Sequence, residues 1–145
     1  MSMSDENKNP IPQGKYVPAS RFGNLIYTAG MTPRKNGELI QSGKVSATQP
    51  ASHYKIAVRQ AVANALTAAQ NTLNEQEQIE QILTLTVYIH AEDGYKDHSK
   101  LADFASEYLY ENLSETGISS RAAIGVASLP GDAPVEIQLI AAVSM

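Results

Sequence analysis

The chain has no cysteine or tryptophan and only two phenylalanines among its 145 residues. Without cysteine there is no disulfide, thiol nucleophile or thiolate metal site, and nothing follows about the redox compartment. Basic residues are also few, because 11 Lys and Arg stand against 15 Asp and Glu, a formal net charge of -4. Surfaces that bind nucleic acid usually show clustered Lys and Arg, so we do not expect a nucleic-acid partner.

Long apolar runs are missing as well. The sequence has no stretch of about 18 apolar residues, and its first residues, MSMSDENKNPIPQ, lack the apolar segment of a signal peptide. We therefore expect a cytoplasmic protein with no membrane partner. The three histidines, His53, His90 and His98, have no metal-ligand spacing, so we expect them at the surface or at helix edges, without zinc.

What the sequence does contain is an ordinary globular composition, with 43% hydrophobic and 18% charged residues. The length fits one domain with a real core. Residues 1–13 are polar, contain two prolines and show no period, so they indicate a tail that is either disordered or packed locally. The expected organisation is this tail followed by a single domain over residues 14–145.

The first half of the chain predicts two strands and a helix. YVPASRFGNLIYTAG, residues 16–30, is typical of a β-hairpin that turns at Gly23-Asn24. A loop with a short extended piece near residues 38–41 follows. Pro50 suits the first position of a helix, and the apolar spacing beyond it predicts a helix over residues 50–74.

The second half predicts a strand, a helix and two further strands. IEQILTLTVYIH alternates, which predicts a strand with Leu83, Leu85, Val87 and Ile89 on its buried face. DHSKLADFASEYLYENL predicts a second helix, and SSRAAIGVASLPGDAPVEIQLIAAV supplies the two final strands. The whole order predicts an α+β sandwich, a mixed β-sheet with both helices on one face.

Side-chain alternation assigns the final strands to faces. If Val135 and Ile137 face the helices, Glu136 points to the opposite face. Alternation along the preceding strand likewise predicts that Ile124 faces the helices and that Arg121 shares the face of Glu136. That far face lacks the Lys and Glu of a sheet left in water, so we expect a second copy of the sheet to cover it in a symmetric oligomer.

Arg121 and Glu136 are predicted to lie far apart along their two strands. If residues 129–134 are the loop of an antiparallel hairpin, the two residues lie roughly 20 Å apart within one chain. They would then share a site only across a subunit boundary. We expect a cleft between subunits with Arg121 from one chain and Glu136 from its neighbour.

Three segments, GNLIYTAG, SRAAIGVASLP and PVEIQLIAAV, occur in an order and spacing that resemble a known family. The sequence over residues 14–144 is similar to the RidA/YjgF reactive-intermediate deaminases, formerly called endoribonuclease L-PSP. The resemblance implies a chorismate-mutase-like α+β fold. It also implies a homotrimer with a β-barrel core and ligand sites in three intersubunit clefts.

Specific residues carry the family's site in this resemblance. Arg121 falls on the arginine that binds the substrate carboxylate, Glu136 on the glutamate that positions water, and Tyr16 on a tyrosine eight residues before the GN turn. Three further site positions depart from the family pattern. Its cysteine is replaced by Ala123, the serine of its TSG-type motif by Ala29, and its loop asparagine by Asp93. The resemblance is therefore to a divergent subgroup.

The family resemblance implies hydrolysis of enamines and imines of amino acids to 2-keto acids and ammonia, with no cofactor. A non-catalytic sensor of small carboxylates is the alternative, because a pocket holding Arg121 and Glu136 serves both functions. A ribonuclease or translation-inhibitor role ranks third, since a basic stacking groove is not evident in the sequence.

The site residues also have simpler structural interpretations. Arg121 can form a strand-edge ion pair, and Glu136 can pair with a Lys or Arg at an interface. Tyr16 can belong to the core or to an interface. Asp93 and Asp97 can cap the second helix, because they flank its predicted start.

Overall fold

Five strands form one mixed sheet in a computed structural model that describes residues 8–144. Its spatial order is β1-β2-β7-β5-β6, with β5 and β6 parallel and every other neighbouring pair antiparallel. A separate two-stranded hairpin consists of β3 and β4. The strands are β1 Ala19–Phe22, β2 Leu25–Thr28, β3 Arg34–Lys35, β4 Glu38–Leu39, β5 Gln78–His90, β6 Ser120–Val126 and β7 Val135–Ser144.

Two helices, α1 Lys55–Gln70 and α2 His98–Leu113, pack against each other and against one face of the sheet. Alanines on α1 are fully buried, which lets the helix approach the strands closely. A 3-10 turn, Ala51–Tyr54, precedes α1, and Pro50 stands at its N-cap. The mixed sheet with two helices on one face confirms the predicted α+β class.

The first hairpin also forms as predicted. β1 and β2 pair antiparallel across Gly23-Asn24, and Gly23 has a φ of 60°. Glycine adopts this left-handed backbone without the steric cost of a Cβ. Within residues 8–144 neither helix is long and apolar enough to cross a membrane.

The predicted hairpin of the two final strands is wrong. β5 lies between β6 and β7, pairing parallel with the first and antiparallel with the second. Residues 127–134 instead cross the end of β5 from one of its neighbours to the other, and a 3-10 turn, Pro130–Asp132, lies within this connection. The sequence reasoning missed this arrangement because it paired strands that are adjacent in the chain.

The predicted orientation of β6 is wrong as well, whereas that of β7 is confirmed. Val135 and Ile137 are fully buried, and Glu136 points to the open face. Ile124 pairs with Tyr88, and Tyr88 pairs with Glu136, so Ile124 shares the open face and is 42% exposed. β6 is an edge strand of small residues, so its apolar pattern is too weak to assign its faces.

A register shift alters the predicted face of β5 at one position. The pairing with β7 is irregular between Ile82 and Thr84, and this β-bulge leaves Ile82 fully buried and Leu83 41% exposed. Leu85, Val87 and Ile89 are buried as predicted. A bulge inserts one residue and so shifts the alternation by one, and because Ile82 and Leu83 are both apolar, the sequence pattern did not show where the shift falls.

Arg21 ties the first hairpin to the turn after α1. Its guanidinium donates to both carboxylate oxygens of Glu77, and its Nη1 also donates to the Thr72 carbonyl 3.0 Å away. The hydrogen bonds from Arg21 hold the pKa of Glu77 at about 2. Two parallel hydrogen bonds are the strongest arrangement that a guanidinium and a carboxylate can form.

Replacing Glu77 with Gln should lower the melting temperature at neutral pH. The folded-state pKa of Glu77 lies below its unfolded value, so its stabilising contribution is present above about pH 4 and is lost as pH falls toward 2. Thermal unfolding of wild type and Glu77→Gln from pH 2 to 8 should therefore give curves that converge at the acid end. Glu75→Gln, at an exposed position, is the control. A constant difference at every pH would contradict this account.

Candidate functional site

Arg121 lies on the helix side of the edge strand β6, against α2. Its Nη1 donates to Asp103 Oδ1 at 2.8 Å and to Ser106 Oγ at 3.0 Å. Its Nη2 donates to Ser99 Oγ at 2.8 Å. The side chain is 20% exposed, and both terminal nitrogens of the guanidinium are held by one helix.

The partners of Arg121 form a polar stripe on α2. Ser99, Asp103 and Ser106 follow the spacing i, i+4, i+7, which places them on one face of a helix. Sequence reasoning considered α2 only for its apolar face and missed these residues. The helical spacing of three small polar groups was the available signal. Asp103 remains 56% exposed, so its side of the ion pair is open to exchange with a ligand.

Glu136 lies on the opposite face of the sheet, between the buried residues Val135 and Ile137 of β7. It has no ion-pair or hydrogen-bond partner within residues 8–144. Burial raises the pKa of its carboxyl group above the usual value. Gly30 lies so close to the carboxylate that a Cβ on residue 30 would overlap it, so a larger residue there would displace the Glu136 side chain.

Tyr16 and Ala29 lie at the same end of the molecule as Glu136. The Tyr16 hydroxyl accepts a hydrogen bond from the Gln13 backbone N–H at 2.9 Å, and Tyr16 and Gly30 line one cavity of about 710 Å³. The Ala29 N–H donates to the Pro18 carbonyl at 2.8 Å. Tyr16, Ala29, Gly30 and Glu136 are named the carboxylate half-site below.

Arg121 and Ala123 form the second group, at the edge of the sheet. Ala123 shares the helix-facing side of β6 with Arg121 and packs on the core. Asp93 is exposed in the loop between β5 and α2, beyond the end of β6 where Val126 lies. Arg121 and Ala123 are named the guanidinium half-site. The predicted capping role of Asp97 has no support, since its side chain makes no hydrogen bond at the α2 N-cap.

The two half-sites do not meet within one chain. Arg121 is opposite Leu85, and Leu85 is opposite Leu139, three residues from Glu136. The Cα atoms of Arg121 and Glu136 are therefore about 10 Å apart along the strands and about 10 Å apart across two strand spacings. This is shorter than the separation expected from a hairpin, but the two side chains lie on opposite faces of the sheet.

The chemistry of the half-sites is complementary. A guanidinium can bind a carboxylate through two parallel hydrogen bonds, and a carboxylate with a raised pKa can accept a proton from water. Within residues 8–144 no group of three His, Asp or Glu side chains is placed to hold a metal ion.

The mixed sheet with two helices on one face defines the chain as an α+β protein. Residues 6–143 match the profile of the family described as Endoribonuclease L-PSP. The chain belongs to this family, which includes the RidA and YjgF proteins, as its sequence resemblance predicted.

Known proteins resemble the chain over nearly its whole length. A RutC family protein of Pyrococcus horikoshii is 28% identical over 134 residues, 91% of this chain and 90% of the relative. The crystal structure of a protein of unknown function from Agrobacterium tumefaciens is 27% identical, with a TM-score of 0.84, covering 94% of this chain and 86% of that one. The crystal structure of Escherichia coli TdcF contains bound serine. It is 22% identical, with a TM-score of 0.64 and 94% coverage of both chains.

Replacing Glu136 with Gln should raise the melting temperature at neutral pH. Burial disfavours the ionised carboxylate, so its folded-state pKa lies above the unfolded value. The penalty is absent at acid pH, where the carboxyl group is protonated in both states, and it develops as pH rises through the folded-state pKa. Unfolding curves at pH 4 and pH 8 should show the gain in melting temperature mainly at pH 8. Glu80→Gln, at an exposed position of β5, is the control. A loss of stability at pH 8 would show that Glu136 has a cationic partner.

Proposed function

We propose that the protein hydrolyses enamine and imine intermediates of amino acids to 2-keto acids and ammonia. The observation that carries this proposal is that the chain holds two unlike half-sites. One holds an oriented guanidinium, Arg121, and the other holds an unpaired, half-buried carboxylate, Glu136. A substrate that carries a carboxylate next to an imine carbon needs both groups.

We further propose that the half-sites meet in a homotrimer with a β-barrel core, each protomer contributing one domain over residues 14–145. The open face of the sheet exposes Phe22 at 85%, Tyr27 at 45% and Ile124 at 42%. Aromatic and branched apolar side chains on one sheet face favour burial against another copy. The edge position of Arg121 on β6 suits a cleft completed by the carboxylate half-site of a neighbour.

In this mechanism Arg121 binds the substrate carboxylate. Its terminal nitrogens already point into the space that Asp103, Ser106 and Ser99 line, so the guanidinium is oriented before the ligand arrives. The incoming carboxylate replaces or shares the hydrogen bond to the exposed Asp103. The serine hydroxyls keep the guanidinium in place during that exchange.

Glu136 activates the water. As the water oxygen bonds to the imine carbon, the carboxylate takes a proton from the water and the C=N electron pair moves to nitrogen. Glu136 returns this proton to the nitrogen, which gives a neutral carbinolamine. In the collapse, Glu136 takes the hydroxyl proton as the C=O bond forms and passes it to the nitrogen, so that the C–N bond breaks with its electron pair on nitrogen and ammonia leaves. A raised pKa suits a carboxylate that both accepts and returns a proton, and such catalysis contributes about 10²- to 10⁴-fold.

The comparisons support a small ligand with a carboxylate. TdcF, which shares the fold, holds serine, a molecule with a carboxylate and a nitrogen on the adjacent carbon. The substrate proposed for this chain has the same two groups in the same relation. Ala123 and Ala29 replace the family's cysteine and serine, so the proposed reaction uses neither a thiol nor a hydroxyl at these positions.

The two alternative functions fit the site less well. A sensor of small carboxylates gains nothing from an ionised Glu136 near its ligand, because like charges repel, whereas a hydrolase uses that group. A ribonuclease needs a basic groove, and the chain has a net charge of -4.

Arg121→Ala should abolish turnover, and Arg121→Lys should abolish it as well. Lysine keeps the charge but cannot form two parallel hydrogen bonds to one carboxylate. The measurement is the release of ammonia and keto acid when an amino-acid oxidase generates 2-iminopropionate in place. Arg59→Ala, which removes an exposed ion pair between the helices, is the matched control. Wild-type rates from Arg121→Ala would refute the mechanism, and keto-acid binding without turnover by wild type would favour the sensor.

Ile124→Glu should dissociate the oligomer and abolish turnover together. The substitution places a charge on a sheet face that the proposed trimer buries. Size-exclusion chromatography with light scattering should give three times the 15.6 kDa chain mass for wild type and one chain mass for the variant. Circular dichroism checks that the variant is folded. A wild-type monomer at micromolar concentration would contradict the proposed cleft.

A further inference from the structure

His98 is the first residue of α2, at a helix edge as the sequence predicted, and it lies beside the guanidinium half-site. The imidazole is half-buried at the start of α2, and its Nε2 faces Gly125 of β6. The Tyr95 ring meets it edge-on, with 5.1 Å between ring centroids. The side chain is therefore held between α2, the preceding loop and the edge strand.

Helical spacing explains this orientation. His98 precedes Ala102 and Ala105 at i, i+4 and i+7, and both alanines are fully buried against the sheet. The imidazole thus continues the sheet-facing row of α2. Ser99, the next residue, belongs to the polar stripe that holds Arg121.

Gly125 provides the room for the imidazole. A Cβ at this position would lie 2.8 Å from His98 Nε2, closer than real Cβ contacts allow. The φ of Gly125 is not in the left-handed region, so close approach rather than backbone conformation accounts for glycine here. Ala123, the next residue on the same face of β6, is also small.

His98 and Arg121 occupy opposite ends of this short row. Arg121, Ala123 and Gly125 share one face, and the Cα atoms at the two ends are about 13 Å apart in an extended strand. The side chains of Arg121 and His98 are closer together than these Cα atoms, because the Arg121 guanidinium contacts Ser99, the residue next to His98. A small imino acid bound to Arg121 through its carboxylate would lie along the exposed edge between β6 and α2, where Ser99 and Gly125 are open to solvent, with its nitrogen toward His98.

The contacts of the His98 imidazole do not indicate a structural role for its ring nitrogens. Within residues 8–144 neither ring nitrogen of His98 has a hydrogen-bond partner, and no carboxylate lies within ion-pair distance of it. The Tyr95 ring contacts it, and Asp97 precedes it in the chain. A half-buried polar group without a partner in the chain indicates that a ligand or water completes its hydrogen bonding.

We propose that His98 is a catalytic acid–base residue of the proposed deaminase, acting on the substrate nitrogen. This inference rests on the proposed function and adds a second proton-transfer group to it. Imidazole can donate and accept protons near neutral pH. It occupies the row where Ala123 has replaced the family's cysteine.

The proton transfers balance with two groups. As water adds to the imine carbon, Glu136 of a neighbouring protomer takes one water proton, and the His98 imidazolium gives a proton to the nitrogen. In the collapse, Glu136 gives its proton to the amine nitrogen and neutral His98 takes the hydroxyl proton. The C–N bond breaks, the C=O bond forms, ammonia leaves, and both groups return to their starting protonation states.

The decisive experiment is chemical rescue of His98→Ala. We expect kcat for 2-iminopropionate to fall about 10²-fold with KM nearly unchanged, and added imidazole to restore kcat at least about 10-fold. His53→Ala, at an exposed position outside both half-sites, should keep wild-type kcat and show no response to imidazole. A purely structural role would instead raise KM by disturbing Arg121, without rescue, and that result would overturn the proposal.

Gly125→Ala gives a second test that leaves the histidine in the sequence. Its Cβ should displace the imidazole and lower kcat, while Gly125→Ala combined with His98→Ala should fall no further than His98→Ala alone. Independent losses from the two substitutions would overturn the proposal. If wild type is active and His98→Ala keeps full activity, only the role of His98 is overturned. Absence of turnover by wild type would instead overturn the proposed function, and His98 with it.

Discussion

The placement of β5 between β6 and β7 is the constraint on which both half-sites depend. β5 pairs parallel with β6 over seven residue pairs from Thr84 to His90, and antiparallel with β7 along nearly its whole length. This arrangement makes β6 an edge strand and sends Arg121 to the helix side. It also fixes Glu136 on the open side, because Tyr88 aligns Ile124 and Glu136 across the three strands.

The two charged residues differ in how completely the chain satisfies them. Arg121 is held by three residues of α2, whereas Glu136 is half-buried with no partner within residues 8–144. An unpaired carboxylate costs stability when it loses water, and such costs are common at functional sites. If a second protomer brings substrate and Arg121 to Glu136, the carboxylate that lowers stability in the free chain would serve as the proton acceptor of the reaction.

One departure from the family pattern lies on β6, and its surroundings suggest what replaces the missing group in the proposed site. Ala123 stands where the resemblance places a cysteine, and His98 of α2 faces Gly125 on the same side of β6. The proposed site therefore has an imidazole from α2 facing the side of β6 on which Ala123 lies. A chain with this arrangement can keep the reaction class while changing the shape of its pocket and hence its preferred substrate.

Local patterns in the sequence were sufficient for much of the fold. The Gly23-Asn24 turn, the apolar period of α1 and the alternation of β7 each depend on residues close together in the chain, and each is confirmed. Residue types also singled out Arg121 and Glu136, because charges within apolar strands are rare.

Only the tertiary structure decided how those elements combine. Strand order, the orientation of β6 and the bulge at Leu83 depend on pairing between distant segments, which leaves no local period in the sequence. The contacts of Arg121 with Asp103, and of His98 with Gly125, likewise join α2 to a strand that follows it in the chain. The sequence alone determined which side chains are unusual, and packing decided which faces and neighbours they have.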